Sequence, residues 1–169
     1  IAVARIIAIT QGRTPERKAL TPAYFIRFLS TAAIKSIITK AKKGNLIMNV
    51  IDTKNAPGAI GPYSQAYEVN GAIYTSGQIP VNPADGTVPD GIENQAKQSC
   101  ENVKAILEEA GSELGKVFKT TCFLADMADF ASFNGVYGEY FTSKPARSCV
   151  AVKDLPKGVL CEIEVIAVK

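Results

Sequence analysis

Near the end of the chain, Cys161-Glu-Ile-Glu-Val165 alternates apolar and acidic side chains, and the β-branched run continues to Val168. A strand sends successive side chains to opposite faces, so Glu162 and Glu164 share one face and Ile163 and Val165 the other. A second β-branched run covers 147–152, where Arg147, Cys149 and Ala151 share a face, and Asp154, Pro156 and Gly158 punctuate the segment between the two runs. A simple antiparallel hairpin with Val152 opposite Val159 sets Cys149 against Glu162 and Arg147 against Glu164. Arg147 and Glu162 are then diagonal neighbours about 7–8 Å apart, subject to any bulge. Two readings of that guanidinium, thiol and carboxylate stay open: a ligand-binding surface, or a structural cross-strand ion pair.

The 169 residues are 47% hydrophobic and 21% charged, which suits one ordinary domain plus an extension. No apolar run reaches the ~18–20 residues that a membrane-spanning helix needs. The net charge of +3 hides an asymmetry: residues 1–47 carry nine Lys/Arg and one Asp/Glu, whereas 48–169 carry ten and fifteen. The larger part is therefore mildly acidic, which argues against a general nucleic-acid-binding surface on it. The chain has no histidine, which excludes Ser-His-Asp and Cys-His catalysis and removes the commonest zinc ligand. Cys100, Cys122, Cys149 and Cys161 show no CxxC spacing. They read as reduced thiols of an intracellular protein, most of them small core residues.

Residues 1–47 read as a basic extension outside the folded core. An acid-poor, Arg-bearing segment fits a mitochondrial presequence, with 25–31 suited to processing. The rival reading makes it upstream or non-native sequence before a start at Met48. The expected location is accordingly the cytoplasm, or the mitochondrial matrix on the presequence reading.

From Met48 the pattern becomes regular. Residues 49–53 predict a short strand, and 56–65 are too rich in Pro and Gly for a regular element. Segments 66–69 and 72–76 flank Asn70-Gly71, the strongest hairpin signal in the chain. Gly77 interrupts the strand pattern, a mark of close backbone approach, and 82–91 reads as a loop. Asp90-Gly-Ile-Glu93 has the pattern of a capped helix start. Ile92, Ala96, Cys100, Val103, Ile106, Leu107 and Ala110 then recur at helical spacing until Gly111. A strand follows over 116–125. Asp126 or Asp129 caps a second helix whose Phe130, Phe133, Val136, Tyr137, Tyr140 and Phe141 form a core stripe and not a nucleic-acid platform. The order β-β-β-α-β-α-β-β is an α+β pattern, two helices against one face of a mixed sheet. The other face keeps aliphatic residues that another subunit is expected to cover.

Ala59-Ile-Gly-Pro-Tyr-Ser-Gln-Ala66, Tyr74-Thr-Ser-Gly-Gln-Ile-Pro80, Lys119-Thr-Thr-Cys-Phe-Leu-Ala-Asp126, Val136-Tyr-Gly-Glu-Tyr-Phe141 and Pro145-Ala-Arg-Ser-Cys-Val150 through Glu162-Ile-Glu-Val-Ile-Ala167 together resemble the RidA (YjgF) family of reactive-intermediate deaminases. The resemblance runs from about residue 50 to 169 and leaves 1–47 uncovered. It implies a chorismate-mutase-like α+β fold and a homotrimer with clefts between subunits. It also implies hydrolysis of 2-aminoacrylate and 2-iminobutanoate, products of pyridoxal-phosphate-dependent dehydratases, without cofactor or metal. Arg147 falls on the family's carboxylate-binding arginine, Glu162 on the glutamate that positions the attacking water, and Gly77 on a backbone contact to the ligand. Tyr63, Ser76 and Cys149 fall on pocket positions, Cys149 contributing shape more than thiol chemistry.

The residues suit that chemistry. Arginine's planar fork offers two parallel hydrogen bonds to an imino acid's carboxylate. An iminium carbon is already electrophilic, so a positioned water and a carboxylate to manage its proton suffice. The rival functions are an endoribonuclease or translation inhibitor, which needs a basic track with exposed aromatics, and a non-enzymatic ligand-binding or chaperone-like trimer. The expected partners are a small imino or enamine acid and further copies of the chain, with neither nucleic acid nor membrane.

Overall fold

Asn70 and Gly71 both take positive φ, 52° and 84°, the geometry of the tight turn whose twist matches paired strands. That turn joins β2 (Ala66–Val69) to β3 (Ala72–Thr75) with Val69 opposite Ala72. The computed structural model describes residues 46–169, so the expectations for 1–45 lie outside the described residues. The remaining elements are β1 (Met48–Ile51), α1 (Ile92–Glu109), β4 (Val117–Leu124), α2 (Phe130–Tyr140), β5 (Ala146–Ala151) and β6 (Cys161–Val168). Their order along the chain is the one the sequence predicts.

All six strands join one mixed sheet in the order β1-β2-β3-β6-β4-β5. Only β4 and β5 run parallel, with α2 as the crossover between them. The expected hairpin of β5 with β6 does not form, because β4 lies between them. The connection from β5 to β6 steps over the end of β4, where Val152 donates to Leu124 at 2.9 Å and Ala125 donates to Leu160 at 2.9 Å. Within that connection Pro156–Gly158 makes a single 3-10 turn, with Lys157 at φ 59°.

Both helices pack on one face. The α1 side chains Ala96, Cys100, Val103, Ile106 and Leu107 are fully buried against Ile163, Val165 and Cys122. Asp90 does not cap α1 as expected: Gly91 takes the cap position with φ 77° and no side-chain bond. Asn94 Nδ2 instead donates to the Asp90 carbonyl at 2.9 Å. Of the two candidate caps for α2, Asp129 takes the cap position but makes no side-chain bond, and Asp126 caps the preceding 3-10 turn Met127–Asp129 by accepting from the Ala128 amide at 2.9 Å. The aromatic stripe is core: Phe133, Tyr137 and Phe141 are buried, and the last two stack at 4.5 Å.

Among the described residues, no element covers the opposite face of the sheet. Register places Val50, Tyr67, Tyr74 and Ile166 in one row across it, and Val50 is 58% exposed, Tyr74 47% and Val150 47%. These exposed apolar side chains share the face with Glu162 and Glu164.

Candidate functional site

The predicted site residues fall into two groups. The first gathers where β3 ends against β6. Gln78 and Ile163 exchange main-chain hydrogen bonds of 2.8 and 3.2 Å, which lays Gly77 directly against Glu162. A Cβ on Gly77 would overlap the Glu162 carboxylate and stand 2.7 Å from its Cδ, so this position requires glycine for the approach itself. Glu162 is half-buried on the helix-free face. Burial pushes its proton affinity above the usual carboxylate range, and the nearby Glu164 adds to the shift. No cation of the described chain forms an ion pair with it.

Beside Gly77 opens a cavity of about 200 Å³, whose walls include Pro57, Tyr63, Ile79, Val81 and Lys157. The Tyr63 hydroxyl accepts from the Ile60 amide at 3.3 Å. Ser76 is committed to the frame: its hydroxyl donates to the Ser64 carbonyl at 2.7 Å and its amide to the Gln65 carbonyl at 2.9 Å. Its hydroxyl oxygen still has capacity to accept.

The second group lies on edge strand β5. Arg147 stands opposite Thr120 on β4, whereas Glu162 stands opposite Phe123. Thr120 is buried toward the helices and Phe123 faces the other way, so Arg147 and Glu162 occupy opposite faces of the sheet. Two strand spacings, about 10 Å, also separate their strands. The expected diagonal pairing is therefore wrong, and so is the structural ion pair within one chain. The alternation reading was sound for each strand, but the two faces are not the same face.

Arg147 is instead held by α2. Its guanidinium lies over the Tyr137 ring at 4.6 Å from the centroid and over Phe130 at 5.6 Å. Its Nη1 donates to Asn134 Oδ1 at 2.8 Å. Stacking and this single bond orient the planar fork and leave further N–H donors free for an anion. Asn134 and Tyr137 are the residues that sequence reasoning missed as supports for Arg147. The signal was present, since 130, 134 and 137 share one helical face by spacing.

Cys149 is half-buried two residues beyond Arg147, directly opposite the buried Cys122. Burial raises the Cys149 thiol above its ordinary range, an effect that Arg147 partly offsets. Cys122 and Cys161 are pushed up to about 12 by burial. These are neutral thiols at physiological pH, unsuited to nucleophilic work. Among the described residues no group of three or more His, Cys, Asp or Glu gathers as a metal set.

The two-layer α+β protein thus carries an oriented guanidinium on one face of its sheet and a half-buried carboxylate on the other. The family model described as Endoribonuclease L-PSP matches residues 53–169. A relative named 2-iminobutanoate/2-iminopropanoate deaminase, from Escherichia coli strain K12, is 54% identical over 123 residues, spanning 70% of this chain and 96% of that protein. The solved structure of E. coli TdcF with bound serine is 48% identical with a TM-score of 0.70, covering 72% of this chain and 98% of that one. A solved structure of a putative endoribonuclease from Thermotoga maritima is likewise 48% identical at TM-score 0.70, covering 72% of this chain and 97% of that one. The chain belongs to the Endoribonuclease L-PSP family, also called RidA or YjgF.

Proposed function

We propose that the protein hydrolyses 2-imino acids, 2-iminobutanoate and the iminium form of 2-aminoacrylate, to 2-keto acids and ammonium. The observation that carries this reading is Glu162: a half-buried carboxylate of raised proton affinity, without a cation partner, seated on the Gly77 backbone beside a cavity. The deaminase name of a 54% identical relative supports the reaction class.

Because Arg147 and Glu162 face opposite ways, one chain cannot offer both to one small substrate. A cyclic assembly resolves this by bringing the β5 edge of one copy to the helix-free face of the next, and the exposed apolar side chains of that face support such packing. A homotrimer is the assembly proposed here. Arg147 of one copy then clasps the substrate carboxylate through two parallel hydrogen bonds. Glu162 of another takes a proton from water as the water oxygen bonds to the iminium carbon. The same carboxyl returns the proton to the nitrogen of the carbinolamine, the C–N bond breaks to release ammonia as the C=O bond forms, and the hydroxyl proton passes through Glu162 to the ammonia to give ammonium. An enamine substrate first takes a proton on its terminal carbon, which converts it to the same iminium. Burial raises the proton affinity of this carboxyl above its ordinary value, which favours the return of the proton after it has been taken up.

Residues 48–169 hold every participant, and 1–47 are proposed as an extension dispensable for turnover. Its location, cytoplasmic or mitochondrial, is tested by import of a reporter fused to 1–47. The function is tested by a threonine dehydratase assay with and without the protein. Faster release of 2-ketobutyrate from 2-iminobutanoate is expected. An unchanged rate, with 2-ketobutyrate still bound, would mean a ligand-binding protein and no enzyme.

A further inference from the structure

Burying a side-chain amide is costly unless every polar atom is used, yet two amides are almost wholly enclosed here: Gln65 at 2% exposure and Asn102 at 1%. Asn102 lies on the buried face of α1, among the apolar Ala96, Cys100, Val103, Ile106 and Leu107 and the polar Gln95 and Ser99. Its two donated bonds go to one segment. Nδ2 donates to the Ile79 carbonyl at 3.0 Å and the Val81 carbonyl at 2.9 Å, and Oδ1 accepts from Gln98 at 2.9 Å. Gln65 does the same for another segment, donating to the carbonyls of Thr53, Ala56 and Pro57 at 3.0, 3.3 and 2.9 Å and accepting from the Thr53 amide at 2.7 Å. Pro57, Ile79 and Val81 are walls of the cavity beside Gly77.

We infer that Asn102 and Gln65 are positioning residues that hold two walls of the substrate cavity in place and so set which imino-acid side chains it accepts. The inference rests on the imine-hydrolase reading. It goes beyond that reading because neither residue takes part in the chemistry. The contact of Gly77 with Glu162 is secured separately, by the two main-chain bonds between Gln78 and Ile163. Releasing the Ile79–Val81 wall therefore changes binding of the substrate's side chain and leaves proton transfer intact.

The test is Asn102→Asp, nearly the same shape but lacking both N–H donors. KM for 2-iminobutanoate should rise about tenfold with kcat within about twofold of wild type, the signature of lost uniform binding. KM should partly recover as pH falls, because a protonated acid regains one donor. Selectivity between 2-iminobutanoate and the imine of leucine should shift in the same variant. An unchanged KM and selectivity in the folded protein overturns the inference, as does a fall in kcat at constant KM. Should Asn102→Asp not fold, Asn102→Ser keeps one donor and is read in the same way, with an intermediate KM expected. If wild type turns over no imine, the proposed function fails on its own. The Kd for 2-ketobutyrate then reads the walls: about tenfold weaker in the variant supports positioning, and equal affinity refutes it.

Discussion

Replacing Gly77 by alanine separates site geometry from fold more sharply than any other single change. Gly77 does not have a positive φ, so alanine brings no backbone strain, and its smaller unfolded-state entropy favours folding slightly. The collision is with one flexible side chain: the new Cβ overlaps the Glu162 carboxylate and lies 2.7 Å from Cδ and 2.9 Å from Cγ. Carbon atoms rest at about 3.5–4.0 Å, so the carboxyl has to retreat by about 1 Å. A flexible glutamate end makes that retreat cheap for stability. The proton-transfer group, however, is then misplaced by a distance that costs on the order of a hundredfold in rate, about 2.7 kcal/mol. The assay is kcat/KM on 2-iminobutanoate beside a thermal melt of the same sample. A loss of about a hundredfold with Tm within a few degrees is expected. Wild-type kcat/KM in the folded variant would refute the role given to the contact between Gly77 and Glu162.

Arg147→Lys keeps the charge but loses the fork and its seat over Tyr137; kcat/KM should fall about ten- to a hundredfold, 1.5–3 kcal/mol, and an unchanged value would remove Arg147 from the site. Glu164→Gln tests the pH dependence. Glu162 must be ionised to accept the water proton, and its affinity is raised first by burial and then by Glu164. Removing that negative charge lowers the Glu162 pKa, so the acid limb of kcat/KM should move to lower pH, and movement to higher pH would contradict the assignment. Phe133→Ala empties a fully buried site in the aromatic stripe and should destabilise by about 3–5 kcal/mol in chemical denaturation; a loss under about 1 kcal/mol would show the stripe is not core.

What was legible in the sequence was local. Asn70-Gly71 announces its turn because only a few residues tolerate positive φ, and the α1 spacing announces a helix with one apolar face. Gly77 was suspicious as a break in a strand, and the structure supplies the reason in Glu162. The pairing of β6 was not legible, since alternation says which residues share a face but not which strand lies next. Here the crossover through α2 placed β5 outside β4, and the segment after β5 stepped over β4 to reach β6. That one topological step moved Arg147 to the far face from Glu162. Asn102 escaped notice for a different reason: a polar residue at a buried helical position reads as a flaw in the pattern, and its purpose appears only when the Ile79 and Val81 carbonyls come within reach.

The central claim is that Arg147 and Glu162 meet only across two copies, and mixing tests it directly. Arg147→Ala and Glu162→Gln are each expected to be inactive alone. Unfolded together in equal amounts and refolded, they form cyclic assemblies in which about a quarter of the junctions pair an intact Arg147 with an intact Glu162 from another copy. The account predicts recovery of about a quarter of wild-type activity. No recovery from well-formed mixed assemblies would place both residues in a single-chain site and contradict it.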